Sequence, residues 1–112
     1  MKLHEIVKKL DLEIKSNVYD LDREVHGGYA SDLLSDVLAN AKMGDVWVTL
    51  QIHQNIVGVA ALNELTGIIL VNGREPEKET LKKAEAENIP ILGTDLPAFE
   101  IIGKLYGLLN GC

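Results

Sequence analysis

Hydrophobic positions along this 112-residue chain fall into two alternating patterns. Short apolar runs rich in β-branched residues are separated by longer stretches whose apolar side chains recur every three or four positions. Gly67 to Val71 is the clearest run, the mark of a strand covered on both faces. It ends at Asn72-Gly73, a turn signal, and Pro76 then opens a charged helix to Asn88, anchored by Leu81 and Ala84. Glu79 and Lys83 on that helix have the spacing of an i,i+4 ion pair. Asp45 to Ile52 is a second strand, and Ile89 to Gly93 a third, whose Pro90 suits an edge or first position.

The helices between and beyond these strands are equally marked. Gln54 or Asn55 starts one, with Ile56, Val57, Val59, Ala60, Ala61, Leu62 and Leu65 as its apolar members. Thr94 or Asp95 caps the last, which has Pro97 in its first turn, Phe99, Ile101, Ile102, Leu105, Tyr106, Leu108 and Leu109 along it, and Gly111 at its end. Both arcs are too wide for one buried stripe. Either each helix is buried on two faces or one face packs on another subunit, and a homodimer is the expectation.

Upstream, Leu3, Ile6, Val7 and Leu10 predict a short amphipathic helix over residues 2–10. Leu12-Glu13-Ile14-Lys15 alternates as a half-buried strand, and residues 17–24 form a polar loop. The Asp20, Asp22 and Glu24 carboxylates on it read as solvated acids rather than a cation site. Val25 to Tyr29 follows, then Ser31-Asp32 at the head of a helix with Leu34, Val37, Leu38 and Ala41 as its buried stripe. Lys42 falls in its last turn and Gly44 ends it.

Strands and helices alternate from residue 25 onward, which predicts one α/β domain over residues 1–112. Its form is a mainly parallel sheet flanked by helices in three α/β/α layers, because parallel neighbours need a crossover. All strand-to-helix turns of such a sheet share one edge, where ligands tend to bind. The candidate ligand-binding residues at these turns are Gly27, Gly28, Ser31, Gln51, His53, Asn55, Asn72, Gly73, Arg74, Thr94 and Asp95. Helix starts there suit an anion, and Arg74 adds a planar fork for phosphate or carboxylate. Ser31, Thr94 and Asp95 read equally as caps, and the glycines as turns.

Charge narrows the function. Seventeen acidic against eleven basic residues give a net charge of −6 and no Lys/Arg cluster, which argues against a nucleic-acid surface. No apolar run approaches the roughly 18 residues of a membrane span. The lone cysteine, Cys112, is the last residue, so no internal disulfide is expected and a reducing cytoplasm fits. Neither a phosphate loop nor a dinucleotide fingerprint nor a nucleophile elbow is present, and His26 with His53 lacks the spacing of a zinc site. No cofactor or metal is expected.

The runs GGYASDLLSDVL, IILVNGREP and IPILGTDLPAFE resemble those of a DRTGG domain, and the likeness extends over nearly the whole chain from Val25. That module is similar to the N-terminal region of HPr kinase/phosphorylase and also occurs attached to phosphotransacetylases and CBS-domain proteins. Asn72-Gly73 stands where many members have a Thr-Gly pair. The resemblance implies the parallel α/β fold and a regulatory or accessory role without catalysis. A serine-kinase activity does not follow, since nothing here would position a γ-phosphate. The expected work is binding a small anionic ligand, a nucleotide or phosphorylated metabolite, or docking on a partner enzyme. The alternative is a small enzyme with His53 or His26 as general base and Arg74 holding an anionic substrate.

Overall fold

A computed structural model describes residues 1–111; Cys112, and with it the expectation placed on it, lies outside the described residues. The chain runs α1 (Leu3–Lys9), β1 (Glu13–Ile14), β2 (Gly27–Ala30), α2 (Leu34–Asn40), β3 (Asp45–Thr49), α3 (Asn55–Leu62), β4 (Gly67–Leu70), α4 (Lys78–Glu87), β5 (Ile91–Gly93) and α5 (Ala98–Asn110). The strands form one sheet in the order β1-β5-β4-β3-β2. Strands β2 to β5 are parallel neighbours, registered by pairs such as Gly28 with Val46, Val48 with Ile69 and Ile69 with Leu92, while β1 joins β5 antiparallel. This is the mainly parallel α/β sheet that the alternation predicts.

Because each crossover steps to the next strand in the same direction, right-handed connections put α2, α3 and α4 together on one face. Trp47, Ile68, Leu70 and Ile91 point into that layer, against Val37, Ile56, Val57 and Ala84. The alternate strand residues Val46, Val48, Ile69 and Leu92 point the other way, beneath Leu3 and Ile6 of α1 and Ile101 and Leu105 of α5. Two cores therefore sandwich the sheet.

Several local expectations are corrected. Gly27 and Gly28 lie inside β2 and not in a turn, because backbone pairing with β3 imposes a strand on residues with little strand preference of their own. On α2 only Val37 is fully buried; Leu38 is exposed. The helix stops at Asn40, ahead of Lys42, and its last carbonyls, those of Val37, Leu38 and Ala41, receive the Asn63 amide at 3.1 Å. Strand β3 ends at Thr49 rather than Ile52. Glu77 is the cap residue of α4, so Pro76 precedes that helix, and Glu79 pairs with Lys82 at 3.6 Å instead of Lys83. The wide arc of α3 has an intramolecular cause: it lies between α2 and α4 on the sheet, burying Ile56, Val57, Val59 and Ala60. Of the large apolar members of that arc, Leu62 alone stays exposed, at 74%.

The antiparallel addition of β1 is fixed by Ser16, buried at 1% exposure. Its hydroxyl accepts the Ile91 N–H at 2.8 Å and donates to the Ile89 carbonyl at 3.4 Å. Ser16→Ala leaves a buried N–H without its partner, so thermal or urea unfolding should show a loss of about 1–3 kcal/mol. A loss below a few tenths would mean that water replaces the hydroxyl.

Candidate ligand site at the rim of the sheet

The carboxyl ends of β2 to β5 define one rim. Helix α4, which follows β4, packs on the α2/α3 face, whereas α5, which follows β5, packs on the opposite face. Where neighbouring connections part in this way a crevice opens outside the strand ends. Its two sides are knitted by backbone. Asn72 and Gly73 donate their N–H groups to the carbonyls of Leu96 and Thr94, each at 2.9 Å.

The Asn72-Gly73 turn has both central residues in the left-handed region, with φ of 57° and 66°, and is closed by the Arg74 N–H on the Val71 carbonyl at 3.1 Å. Positive φ at both positions is what an Asn-Gly pair tolerates. Space adds a second reason for glycine: a Cβ on Gly73 would stand 3.0 Å from the Asp95 carboxylate. Thr94 is no helix cap. Its hydroxyl accepts the Leu96 N–H at 3.2 Å, and Pro97 takes the cap position of α5.

Beside this turn lies a cleft of 310 Å³ lined by Gly73, Gly93, Thr94 and Asp95 together with Asp11, Glu13 and Lys15. Lys15 crosses Gly93 so closely that a Cβ there would come within 2.5 Å of its Cε. Its side chain is only 12% exposed, and Nζ is held by Glu75 at 2.6 Å and Glu13 at 2.9 Å. The hydrogen bond to Glu75 holds the ammonium pKa above its ordinary value; desolvation opposes this and Glu13 adds to it. The lysine charge is thus already met by carboxylates, and Asp11 and Asp95 leave the cleft net acidic. Arg74, one residue past Gly73, is exposed, and its guanidinium has no hydrogen bond or ion pair among the described residues.

The remaining candidates divide. Ser31 is on the rim, where its hydroxyl accepts the Leu33 N–H at 3.2 Å and its carbonyl accepts the Trp47 indole at 2.8 Å. Gln51 is spent on the Asp32 carbonyl at 3.0 Å, and the Asp32 carboxylate accepts Thr49 Oγ1 and the Leu50 N–H. His53 is also on the rim; its Nδ1 accepts the N–H of Asn55, the exposed first residue of α3, at 3.1 Å. His26, Gly27 and Gly28 are elsewhere. His26 precedes β2, donates its N–H to Gly44, and belongs to the opposite, amino end of the parallel strands. The strand length, about 13–16 Å at 3.3 Å per residue, separates it from Arg74 and His53. It cannot share a site with them.

Gly27 and Gly28 instead line a second cleft, of 210 Å³, between β2 and α5, with Val48, Ile102, Leu105 and Tyr106 around it. Asp20, Asp22 and Glu24 do not converge. Asp22 meets Lys2 at 3.2 Å, Glu24 the Met1 amine at 3.1 Å, and Asp20 the Asp22 N–H at 3.3 Å. The rim turns are legible in their polar and glycine residues, but the Asp11–Lys15 wall is not. It arrives by pairing of β1 with β5 some eighty positions away, and no local pattern announces that.

No helix among the described residues is long and apolar enough to cross a membrane. No protein-family model matches the chain, and no curated protein matches it in sequence. Among solved structures it is similar to the regulatory region of Clostridium perfringens pyrophosphatase, comprising CBS and DRTGG domains and complexed with the activator diadenosine tetraphosphate. The likeness has a TM-score of 0.69 at 16% identity and covers 92% of this chain but 44% of that one. What the two share is the fold: this chain has the α/β architecture found in a CBS- and DRTGG-containing regulatory region.

Proposed function

We propose that this chain is a non-catalytic regulatory module that binds a small nucleotide or phosphorylated metabolite at the rim crevice and passes that state to a partner enzyme. One observation carries the reading: a polar cleft of 310 Å³ bordered by predicted site residues lies where the connections after β4 and β5 part, the place where open α/β sheets take ligands. The similar pyrophosphatase region, which binds a nucleotide activator, supports the regulatory side of it.

The charges decide how such a ligand sits. With Lys15 neutralised and Asp11, Glu13 and Asp95 around it, the cleft suits an uncharged hydrogen-bonding part such as a nucleoside. The anionic group belongs outside, on the unpartnered Arg74 guanidinium. A polyphosphate lying inside the cleft would face uncompensated carboxylates.

Melting-temperature shifts over a panel of nucleosides and their phosphorylated forms test this, since a ligand that binds only the folded chain raises the melting point by mass action. Arg74→Ala should weaken the phosphorylated ligand about tenfold, a charged hydrogen bond being worth about 1.5–3 kcal/mol, and leave the nucleoside unchanged. Absence of any shift across the panel would remove the ligand-binding role. Equal loss for both ligand forms would move the anion off Arg74, and a ligand recovered chemically altered would replace binding with catalysis through His53.

A further inference from the structure

The outer face of α5 is apolar and uncovered. Phe99 is 92% exposed and Tyr106 63%, and Ile102 lies between them, the spacing i, i+3, i+7 placing all three on one side of a 13-residue helix. Gly103 completes the row. Among the described residues nothing lies within 4 Å of where its Cβ would be, and its φ is not in the left-handed region, so no contact among them calls for glycine there. A mid-helix glycine is destabilising relative to alanine, and what it permits is close approach of another backbone.

We infer that this row is the centre of a two-fold interface in which α5 of one copy packs antiparallel on α5 of a second copy. Charge selects that occupant. Glu100 and Lys104 flank the row on one side, are exposed, and have no hydrogen bond or ion pair among the described residues. They stand two residues on either side of Ile102. A two-fold axis passing beside Ile102 therefore brings each Glu100 opposite the partner copy's Lys104 twice over, and sets Phe99 within one helical rise, about 1.5 Å, of level with the partner copy's Tyr106. The surface is complementary to itself in the antiparallel sense, as an isologous contact requires.

A stable interface covers about 800 Å² per partner, roughly an eighth of the 5994 Å² surface, so α5 alone is too small. The apolar cleft bounded by Ile102 and Tyr106 adjoins it, as does the free edge of β2, the terminal strand of the sheet. Both lie beside α5 and extend the patch. The interface is separate from the acidic rim cleft, and its test is independent of any ligand.

Light scattering across the micromolar range should give the mass of two chains for the unaltered protein and of one for Phe99→Glu. Because symmetry doubles every like-charge contact, Glu100→Lys and Lys104→Glu should each weaken the dimer about tenfold. The combined Glu100→Lys/Lys104→Glu protein should regain it. Circular dichroism on each variant checks that α5 remains folded. A single-chain mass for the unaltered protein throughout that range overturns the interface. So does a dimer insensitive to Phe99→Glu, or single charge reversals that the double exchange fails to rescue.

Discussion

Trp47→Ala should lower the melting temperature by on the order of 12–25 °C, taking about 3–5 kcal/mol for removal of a buried tryptophan and about 4–5 °C per kcal/mol at this length. The indole is fully buried in the middle of β3, facing the α2/α3 layer. It belongs to the same buried cluster as Val37 of α2 and Ile56 of α3, so its loss leaves a void that two helices and a sheet cannot close without bending. Its Nε1–H also donates to the Ser31 carbonyl at 2.8 Å, fixing where β2 leaves the sheet. Trp47→Phe restores most of the volume but not that hydrogen bond. It should recover well over half of the lost stability, and a phenylalanine variant as unstable as the alanine one would mean that the hydrogen bond outweighs the packing.

Leu3→Ala has the second largest expected effect, about 2–5 kcal/mol, and it should be felt unevenly. Leu3 is fully buried and packs over Gly67 at the start of β4, where a Cβ would stand 3.3 Å from its Cδ2. Seven residues of α1 are too few to form a helix without that contact. Residues 1–16 also build the Asp11–Lys15 wall of the rim cleft. The variant should therefore lose amide-exchange protection first in α1 and β1, and lose ligand stabilisation while β3 and β4 remain protected. Uniform loss of protection over the whole sheet would show instead that the N-terminal segment is an indivisible part of the core.

How far the sequence discloses this structure depends on how local each cause is. Gly67 to Val71 reads as a covered strand because its apolar residues are contiguous, and Asn72-Gly73 reads as a tight turn because its chemistry matches the left-handed backbone found there. Gly27-Gly28 resists the same reading, since pairing with Asp45 and Val46 makes it a strand and glycine itself carries no such signal. The arc of α3 is wide because two other helices flank it, a circumstance no single helix can reveal. The outer row of α5 looks the same in sequence, yet its Phe99 and Tyr106 face away from the molecule. At the site, the turns are visible in the sequence and the wall contributed by Glu13 and Lys15 is not, because antiparallel pairing of β1 with β5 follows from no nearby residue.

The pairing of β1 with β5 has a kinetic consequence. Strands β2 to β5 are joined by crossovers between immediate neighbours, so their contacts span short loops, whereas Glu13 must find Gly93 across most of the chain. Closing the longer loop costs more entropy before any contact repays it, which orders the events: the four parallel strands condense, and the N-terminal arm then latches on. Loosening the latch at Leu3 leaves the nucleus untouched, so it accelerates unfolding and spares the folding rate. Release of the arm also dismantles the Lys15 wall, so a ligand gripping that wall would lengthen the lifetime of the folded chain.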